Sequence, residues 1–475
     1  MSRMVQTVST LLILGATGDL SSRLLLPAVG QLVARESDRR LHLVGAGRED
    51  WTQEHWREVL TSSFSTVEAT GAGVDALRSG TRYQQVDVTD PEALAALLAS
   101  CEGPVAVYFA LPPAIAAKAC EALAAHDLPE GTVLALEKPF GTDQPSAHAL
   151  NERLAALVPE ERIHRVDHFL GRATVMNVLG LRFANRILEP LWSAEHIASV
   201  EIVYDEQLAL EGRASYYDTA GALTDMIQSH LLQVLAVIAM EPPSTLDAAD
   251  LRDAKSIVLR ATRLHGDDPA SNSRRARYTA GTIDGRELPS YADEKGVDPT
   301  RQTETLAELV VEIDTWRWAG VPFTLRSGKA LGERRREVVI RFKPVPHLPR
   351  GFHGAEEPSV LRLFLAPDKM ALELSINGPG DPYTLERASL EATFGEGELL
   401  AYGEVISGIL DDDPSLSVRG DAAEECWRIV QPAIDAWHAD AVPLDEYPAG
   451  SQGPVGWPTL GIERSSSSSD VRHRG

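Results

Sequence analysis

An apolar run at Thr10–Leu14 closes on GATGDL (Gly15 to Leu20) and gives way to a helical pattern. The same alternation recurs down the N-terminal third of the chain. Further apolar runs stand at LHLVGAG, ending at Arg48, at VAVYFALPP (Val105 to Pro113), at TVLALEKPFG (Thr132 to Gly141) and at IHRVDH. Ala- and Leu-rich helical stretches such as DPEALAALLAS and SAHALNERLAALV separate them. Strands alternating with helices require right-handed crossovers and a parallel sheet covered on both faces. The expectation is a doubly wound, Rossmann-like α/β domain over residues 1–166.

Beyond Val166 the pattern changes. HIASVEIVYDEQ, TLAELVVEID, EVVIRFKP and SVLRLFLAP alternate like half-buried strands, with DKMALELSI after them. Strands with few helices between them predict a large, mainly antiparallel sheet. Helices at Ala220 to Met240 and Ala422 to Trp437 would pack on it, making residues 167–460 an α+β domain. No internal repeat is visible. The tail over 461–475, which includes SSSSSDVRHRG, is low in complexity and reads as disordered.

The chain's 475 residues are 44% hydrophobic and 24% charged, enough apolar material for real cores. A net charge of -24 argues against a nucleic-acid partner, since no basic surface is free to neutralise phosphates. Any anionic substrate must then meet a local cationic pocket. Cys101, Cys120 and Cys426 are too few and too scattered for a disulfide framework or a zinc site, which fits a reducing cytoplasm. No window reads as eighteen or so apolar residues, so no membrane span is expected, and MSRMVQTVST lacks a signal peptide's hydrophobic centre.

GATGDL sits where a dinucleotide loop belongs: apolar strand, tight glycine turn, helix start. Backbone N–H groups at a helix N-terminus favour a pyrophosphate, and glycines let the backbone approach it. The spacing is G-x-x-G rather than G-x-G-x-x-G, so an ordinary strand-to-helix turn is the competing reading. Arg48 follows the second strand, where an acidic residue would bind a ribose hydroxyl and an Arg would pair with a 2′-phosphate. That favours NADP over NAD, although Glu49 and Asp50 adjoin it and a plain surface Arg is the alternative. Lys138, at the end of the TVLALEKPFG strand, is aimed either at the crevice beyond the strand ends or simply at solvent.

In YYDTAGALTDMIQSHLLQVLAVIAM a helical period puts Leu223, Met226, Ile227, His230, Leu231 and Val234 on one inward face. A histidine there is either a core residue or, given an orienting carboxylate, a base poised near neutral pH. Asp167 of RVDHFLG (Arg165 to Gly171) is the candidate carboxylate. SGKALGERRREV carries Lys329, Arg334, Arg335 and Arg336. Lys329 reads as pointing into a cleft, whereas Arg335 and Arg336 read as a solvated strand edge.

These pieces resemble the glucose-6-phosphate dehydrogenase family. RVDHFLG is similar to its RIDHYLGK signature, and LRFANRILEPLW to its LRFAN…EPLW. YYDTAGALTDMIQSHLLQ is close to YYDxxGxxRDMxQNHLLQ, TWRWAGVPFTLRSGKALGER to NxRWxGVPFxLRxGKxLxER, and YPAGSQGP to YxxGSWGP. The resemblance runs from about Leu11 to Trp457. By position it implies His230 as general base and Asp167 as its orienting partner. His168 and Arg172 would hold the substrate phosphate. Glu206 and Asp225 would contact sugar hydroxyls, with Lys329, Arg334 and Lys138 completing the substrate pocket. Gly15, Thr17, Gly18, Asp19, Leu20, Arg48, Ala110, Leu111, Pro112 and Lys138 would contact the coenzyme, with no metal in the site.

The departures cluster around the substrate. Phe169 replaces a Tyr whose hydroxyl reaches the phosphate, a loss of ~1 to 3 kcal/mol if the acceptor is charged. Arg172 replaces a Lys but keeps a fork suited to phosphate. Leu24 stands where the family has Lys, Thr224 where it has Arg, Ser229 where it has Asn, and Ala366 where it has Gln. The implied activity is NADP-dependent oxidation of glucose 6-phosphate at C1. Two rivals stand beside it: the same chemistry on another sugar phosphate, and a catalytically weak, cofactor-binding paralogue. The resemblance also implies a homodimer or homotetramer built through the large sheet.

Overall fold

Every residue of Thr10–Leu14 (β1) is buried, and the first sheet grows outward from that strand. A computed structural model describes residues 8–457 except 213, 355, 356, 395, 396 and 398. The tail expected over 461–475 lies outside the described residues. The chain folds into two units of similar size.

In the first unit β1 is joined by His42–Gly47 (β2), Arg82–Gln85 (β3), Val105–Phe109 (β4), Val133–Glu137 (β5) and Ile163–Val166 (β6). All six run parallel in the order β6-β5-β4-β1-β2-β3, and Ser417–Val418 adds an antiparallel strand beside β6. This is the doubly wound order, with its switch point between β1 and β4. Helices start where the sequence supplies caps. Thr52 accepts from the His55 N–H, Asp90 from Glu92 and Ala93, and Asp143 forms a capping box with Ser146. Leu26, Val29, Trp56 and Phe64 pack with Leu11 and Ile13 of β1 in one apolar cluster.

Two distant segments, Met240–Arg260 and Gly397–Arg428, belong to this same unit. Glu160 ties them in, accepting from Arg252 at 2.6 Å, Arg165 at 2.9 Å and the Gly420 N–H at 3.0 Å. The helix Gly420–His438, expected on the large sheet, is thus divided. Its first half carries Trp427, whose indole N–H donates to the Phe140 carbonyl at 2.8 Å. Helical periodicity reveals an apolar face but not which sheet that face will meet.

The second unit is built on an eleven-stranded sheet around Ile197–Asp205 (β7). The five strands expected from alternation are present at Ile197–Asp205, Leu306–Ile313, Arg335–Phe342, Val360–Leu365 and Asp368–Asn377. Most pairings are antiparallel, but β7 runs parallel to Phe323–Gly328, and Ser273–Thr279 parallel to Leu444–Pro448. The helical stretch Tyr216–Ala239 also belongs to this unit. By length and composition it would pass for a membrane span, contrary to expectation, but 89% of its apolar 18-residue window is buried inside the protein. Gln228, His230 and Gln233 lie in that stretch, so it is a core helix with polar business on it.

Candidate active site

The glycine turn after β1 has no room for a side chain at its first position. Gly15 has φ +84°, and a Cβ there would sit 2.3 Å from the Ala110 carbonyl oxygen. The Gly18 N–H closes the turn on the Gly15 carbonyl at 3.0 Å, and the chain then enters a wide π-helical turn, Ser21–Leu25, followed by Leu26–Arg35. Asp19 and Leu20 open that helix. The result is a cradle at a helix start beside the β4 end, where Ala110, Leu111 and Pro112 lie. The Gly15 and Ala16 N–H groups are taken by the Ala46 carbonyl, so the cradle's donors are those of the first helical turn. Such a cradle fits a dinucleotide pyrophosphate. Thr17 donates its hydroxyl to Glu49 Oε2 at 2.7 Å, and Arg48 is exposed beside it. Leu24 is 44% exposed on the π-helical turn.

At the far end of β5, Glu137 accepts from the Tyr108 hydroxyl at 2.5 Å and is also hydrogen-bonded by Tyr402. Burial pushes its carboxyl up to about 7 against the pull of both hydroxyls and of Lys138. Lys138 follows directly, half-buried. Tyr402 stacks on His168, with ring centroids 5.2 Å apart and planes 17° from parallel. Neither Glu137 nor Tyr402 was singled out in the sequence. Tyr402 lies on the helix Ala401–Leu410, about 230 residues from His168 in sequence, and carries no motif.

RVDHFLG leaves β6 in a tight turn. Asp167 Oδ1 accepts from the Phe169 N–H at 3.0 Å, and the Asp167 carbonyl from the Leu170 N–H at 3.0 Å. Asp167 is fully buried, and Phe169 is 1% exposed. The Arg172 guanidinium lies over the Phe169 ring, 4.5 Å from its centroid. Lys255, brought down to about 7 by burial, adds its field to Asp167 from the helix Ala248–Ala261.

In the second unit the helix bearing His230 begins at a break. Gly221 takes φ 65°, ψ 176°, and a Cβ there would meet the Glu304 carboxyl at 2.3 Å. Glu304 accepts from the Leu223 N–H at 2.9 Å, capping the π-helical segment Leu223–Leu231. Burial holds the Glu304 carboxyl up near 7. That segment carries Asp225, which accepts from the Tyr216 hydroxyl at 3.3 Å, and His230, which is 2% exposed. π-Helical turns recur at functional positions because they set side chains out of the ordinary register.

Glu206 follows β7 and is braced on both oxygens, by Lys329 at 2.8 Å and Arg336 at 3.0 Å. The Lys329 ammonium also faces the Tyr217 ring at 5.2 Å, and Arg336 the Tyr204 ring at 4.7 Å. The expected pair Glu206 and Lys329 therefore comes together. Arg335, on the opposite face, pairs with Glu337 at 3.0 Å. Arg336 is no solvated strand edge: strand alternation turns it toward Glu206. Arg334 is exposed just before that strand.

The family model for the glucose-6-phosphate dehydrogenase NAD binding domain matches residues 12–177, and the model for that family's C-terminal domain matches residues 179–465. The chain is similar to glucose-6-phosphate 1-dehydrogenase of Gluconobacter oxydans, 39% identical over 93% of this chain and 94% of that one. The Mycolicibacterium smegmatis enzyme of the same name is 38% identical over 95% of each chain. Among solved structures, the Mycobacterium avium glucose-6-phosphate 1-dehydrogenase aligns with a TM-score of 0.82, 36% identical, over 94% of this chain and 95% of that one. A glucose-6-phosphate dehydrogenase in complex with glucose 6-phosphate aligns with a TM-score of 0.85, 30% identical, over 96% and 97%.

Proposed function

The chain belongs to the glucose-6-phosphate dehydrogenase family, and from that premise we propose that it oxidises glucose 6-phosphate at C1 to 6-phosphoglucono-lactone, with NADP as its favoured coenzyme. The reading is carried by the similarity to named glucose-6-phosphate dehydrogenases, one solved with its sugar phosphate, across both units. The cradle after β1 fits a nicotinamide dinucleotide, and Arg48 is the reason to favour NADP.

The nicotinamide coenzyme, when bound, supplies the hydride acceptor. His230 takes the proton from O1 as C1 becomes a carbonyl carbon, and Asp167 is the carboxylate assigned to steady the imidazolium. His168 and Arg172 hold the phosphate. The Tyr402 ring stacked on His168 and the Phe169 ring under Arg172 support that assignment, because both groups are pre-oriented by packing. Glu206 and Asp225 accept from sugar hydroxyls, with Lys329, Arg334 and Lys138 completing the pocket. The double brace on Glu206 leaves that carboxylate little rotational freedom to lose on binding. The protein is read as a homodimer or homotetramer. Ile376 and Leu390 on the outer strands of the large sheet, and Tyr383 in the turn that joins them, are each half or more exposed and support an assembly through that sheet.

The test is the initial rate of NADPH and NADH formation with glucose 6-phosphate, beside unphosphorylated glucose and a panel of other sugar phosphates. Turnover with glucose 6-phosphate and none with glucose is expected. A kcat/KM greater for another sugar phosphate would transfer the assignment to that sugar, an outcome that the buried, hydroxyl-free Phe169 favours. His230→Asn should lower kcat by at least about 100-fold, the usual worth of a general base. Coenzyme affinity should stay within about two-fold, since no proton transfer enters binding. Retention of more than a few per cent of kcat would sink the general-base assignment.

A further inference from the structure

We propose that Glu49 determines coenzyme specificity: its carboxylate, fastened to Thr17, stands where the 2′-substituent of the adenosine ribose must lie, and it makes NAD a working second coenzyme. The inference rests on the nicotinamide-coenzyme reading above and deepens it.

In a doubly wound domain the end of the second strand chooses between coenzymes. A carboxylate there accepts from the ribose hydroxyls of NAD, whereas an Arg pairs with the 2′-phosphate of NADP. This chain places both kinds of residue in succession after β2, Arg48 and then Glu49. The geometry decides how much each counts. Glu49 is held at three points: its Oε2 accepts from the Thr17 hydroxyl at 2.7 Å, and its carbonyl accepts from the Tyr83 hydroxyl at 2.7 Å and the Trp51 N–H at 3.0 Å. Thr17 is inside the glycine turn, so the latch holds the carboxylate, though exposed to solvent, at the rim of the cradle.

Gly47, which has no side chain, leaves the room in which the carboxylate meets Thr17. A Cβ on Gly47 would lie 3.1 Å from Glu49 Oε2 and 3.2 Å from Thr17 Cγ2. The Thr17 hydroxyl lowers the Glu49 carboxyl below its ordinary range, with Arg48 adding to the effect, so the group is charged at neutrality. A fixed anion there repels a 2′-phosphate and offers an acceptor to a free 2′-hydroxyl. Arg48 acts in the opposite sense, and the two adjacent charges offset each other.

The test uses the purified full-length chain and calorimetric titration with adenosine 2′,5′-bisphosphate and with ADP, which probe the adenosine half without turnover. The wild type should bind the two within about ten-fold of each other, because one anion and one cation compete for the same position. Glu49→Gln should tighten the 2′-phosphorylated probe by about five-fold or more and weaken ADP. Thr17→Val, which removes only the latch, should move both the same way by less. Arg48→Gln should weaken the bisphosphate alone. The ratio of kcat/KM for NADP over NAD should follow these affinities. Unchanged selectivity in Glu49→Gln, with both probes still binding, would overturn the role of Glu49 and leave the coenzyme site standing. Failure of the wild type to bind either probe would overturn the coenzyme reading, and this inference with it.

Discussion

Arg336 illustrates what a single residue's environment adds to its neighbours in sequence. Four basic residues within SGKALGERRREV look alike as a string, and only strand alternation separates Arg335, which faces Glu337, from Arg336, which faces Glu206 and the Tyr204 ring. Tyr204 is its direct cross-strand partner, so the cation–π contact and the ion pair reinforce one geometry. Arg336→Met keeps the length and apolar stem but drops the brace on Glu206. It should raise KM for glucose 6-phosphate about three- to ten-fold, the effect of ~1 kcal/mol lost from a half-buried pair. kcat should change by less than about two-fold, because Lys329 still holds the other oxygen. A fall in kcat with unchanged KM would show that Glu206 serves the chemistry and not ground-state binding. His168, Arg172, Lys329 and Glu206 were legible in the sequence as candidates because motifs carry them. Tyr402 and Glu304 were not, because each touches its partner only after a long excursion of chain.

At the scale of elements, the helix that bears His230 was legible in its apolar period but not in the extent of its burial or its winding. Leu223, Met226, Ile227, His230 and Leu231 are all buried as a 3.6 period requires, yet Gln228 and Ser229, which that period puts off the inward face, are buried at 1% and 2% too. Enclosure explains the difference: all eight residues of the α-helix that follows, Leu232–Ala239, are buried too, so the helix is covered on every side. The π-helical winding of Leu223–Leu231 spans nine residues, too few for composition to reveal it. The same limit hid β3, whose RYQQ has no apolar run, and the two-residue strand Ser417–Val418, which has no period at all. The register of the π-helix depends on its start, where Glu304 occupies the space beside Gly221. Gly221→Ala would meet both a left-handed backbone and a carboxyl at 2.3 Å. It should cost roughly 2 to 4 kcal/mol of stability and lower kcat at least about ten-fold as His230 shifts. Gly285→Ala is the control: φ is +80° there, but nothing lies within 4 Å of the added carbon. Only backbone strain remains, about 1 kcal/mol, with kcat intact. Equal effects on kcat from both substitutions would remove the link between the Glu304 contact and the placement of His230.

Across the whole molecule, two different electrostatic costs grow as pH rises toward neutrality. The first is self-repulsion among the charges that leave the chain at -24, which acts at the surface and is screened by salt. The second lies inside. Glu137 and Glu304 are each raised from 4.5 to about 7 by burial. A carboxyl with a folded pKa above its unfolded value binds its proton more tightly when folded. Stability is therefore lost as pH rises from 4.5 through about 7, at roughly 1.5 kcal/mol per carboxyl between pH 5.5 and 7. Lys255, lowered from 10.5 to about 7, acts in the opposite direction but only above pH 7, where deprotonation in the folded state restores stability. At the acid end, carboxylates held below their ordinary range, such as Asp143 and Asp421, protonate and withdraw their contribution. The denaturant midpoint should therefore peak at about pH 4.5 to 5 and decline toward 7. Salt separates the two costs. Raising NaCl from about 0.05 to 0.5 M shortens the Debye length several-fold, so it should recover the surface component and leave the buried one. Glu304→Gln removes one buried titration. It should flatten the pH 5.5 to 7 slope by roughly 1.5 kcal/mol at either ionic strength, while its response to salt stays that of the wild type. If high salt alone abolishes the decline, surface repulsion accounts for all of it, and the two buried carboxyls do not titrate in this window.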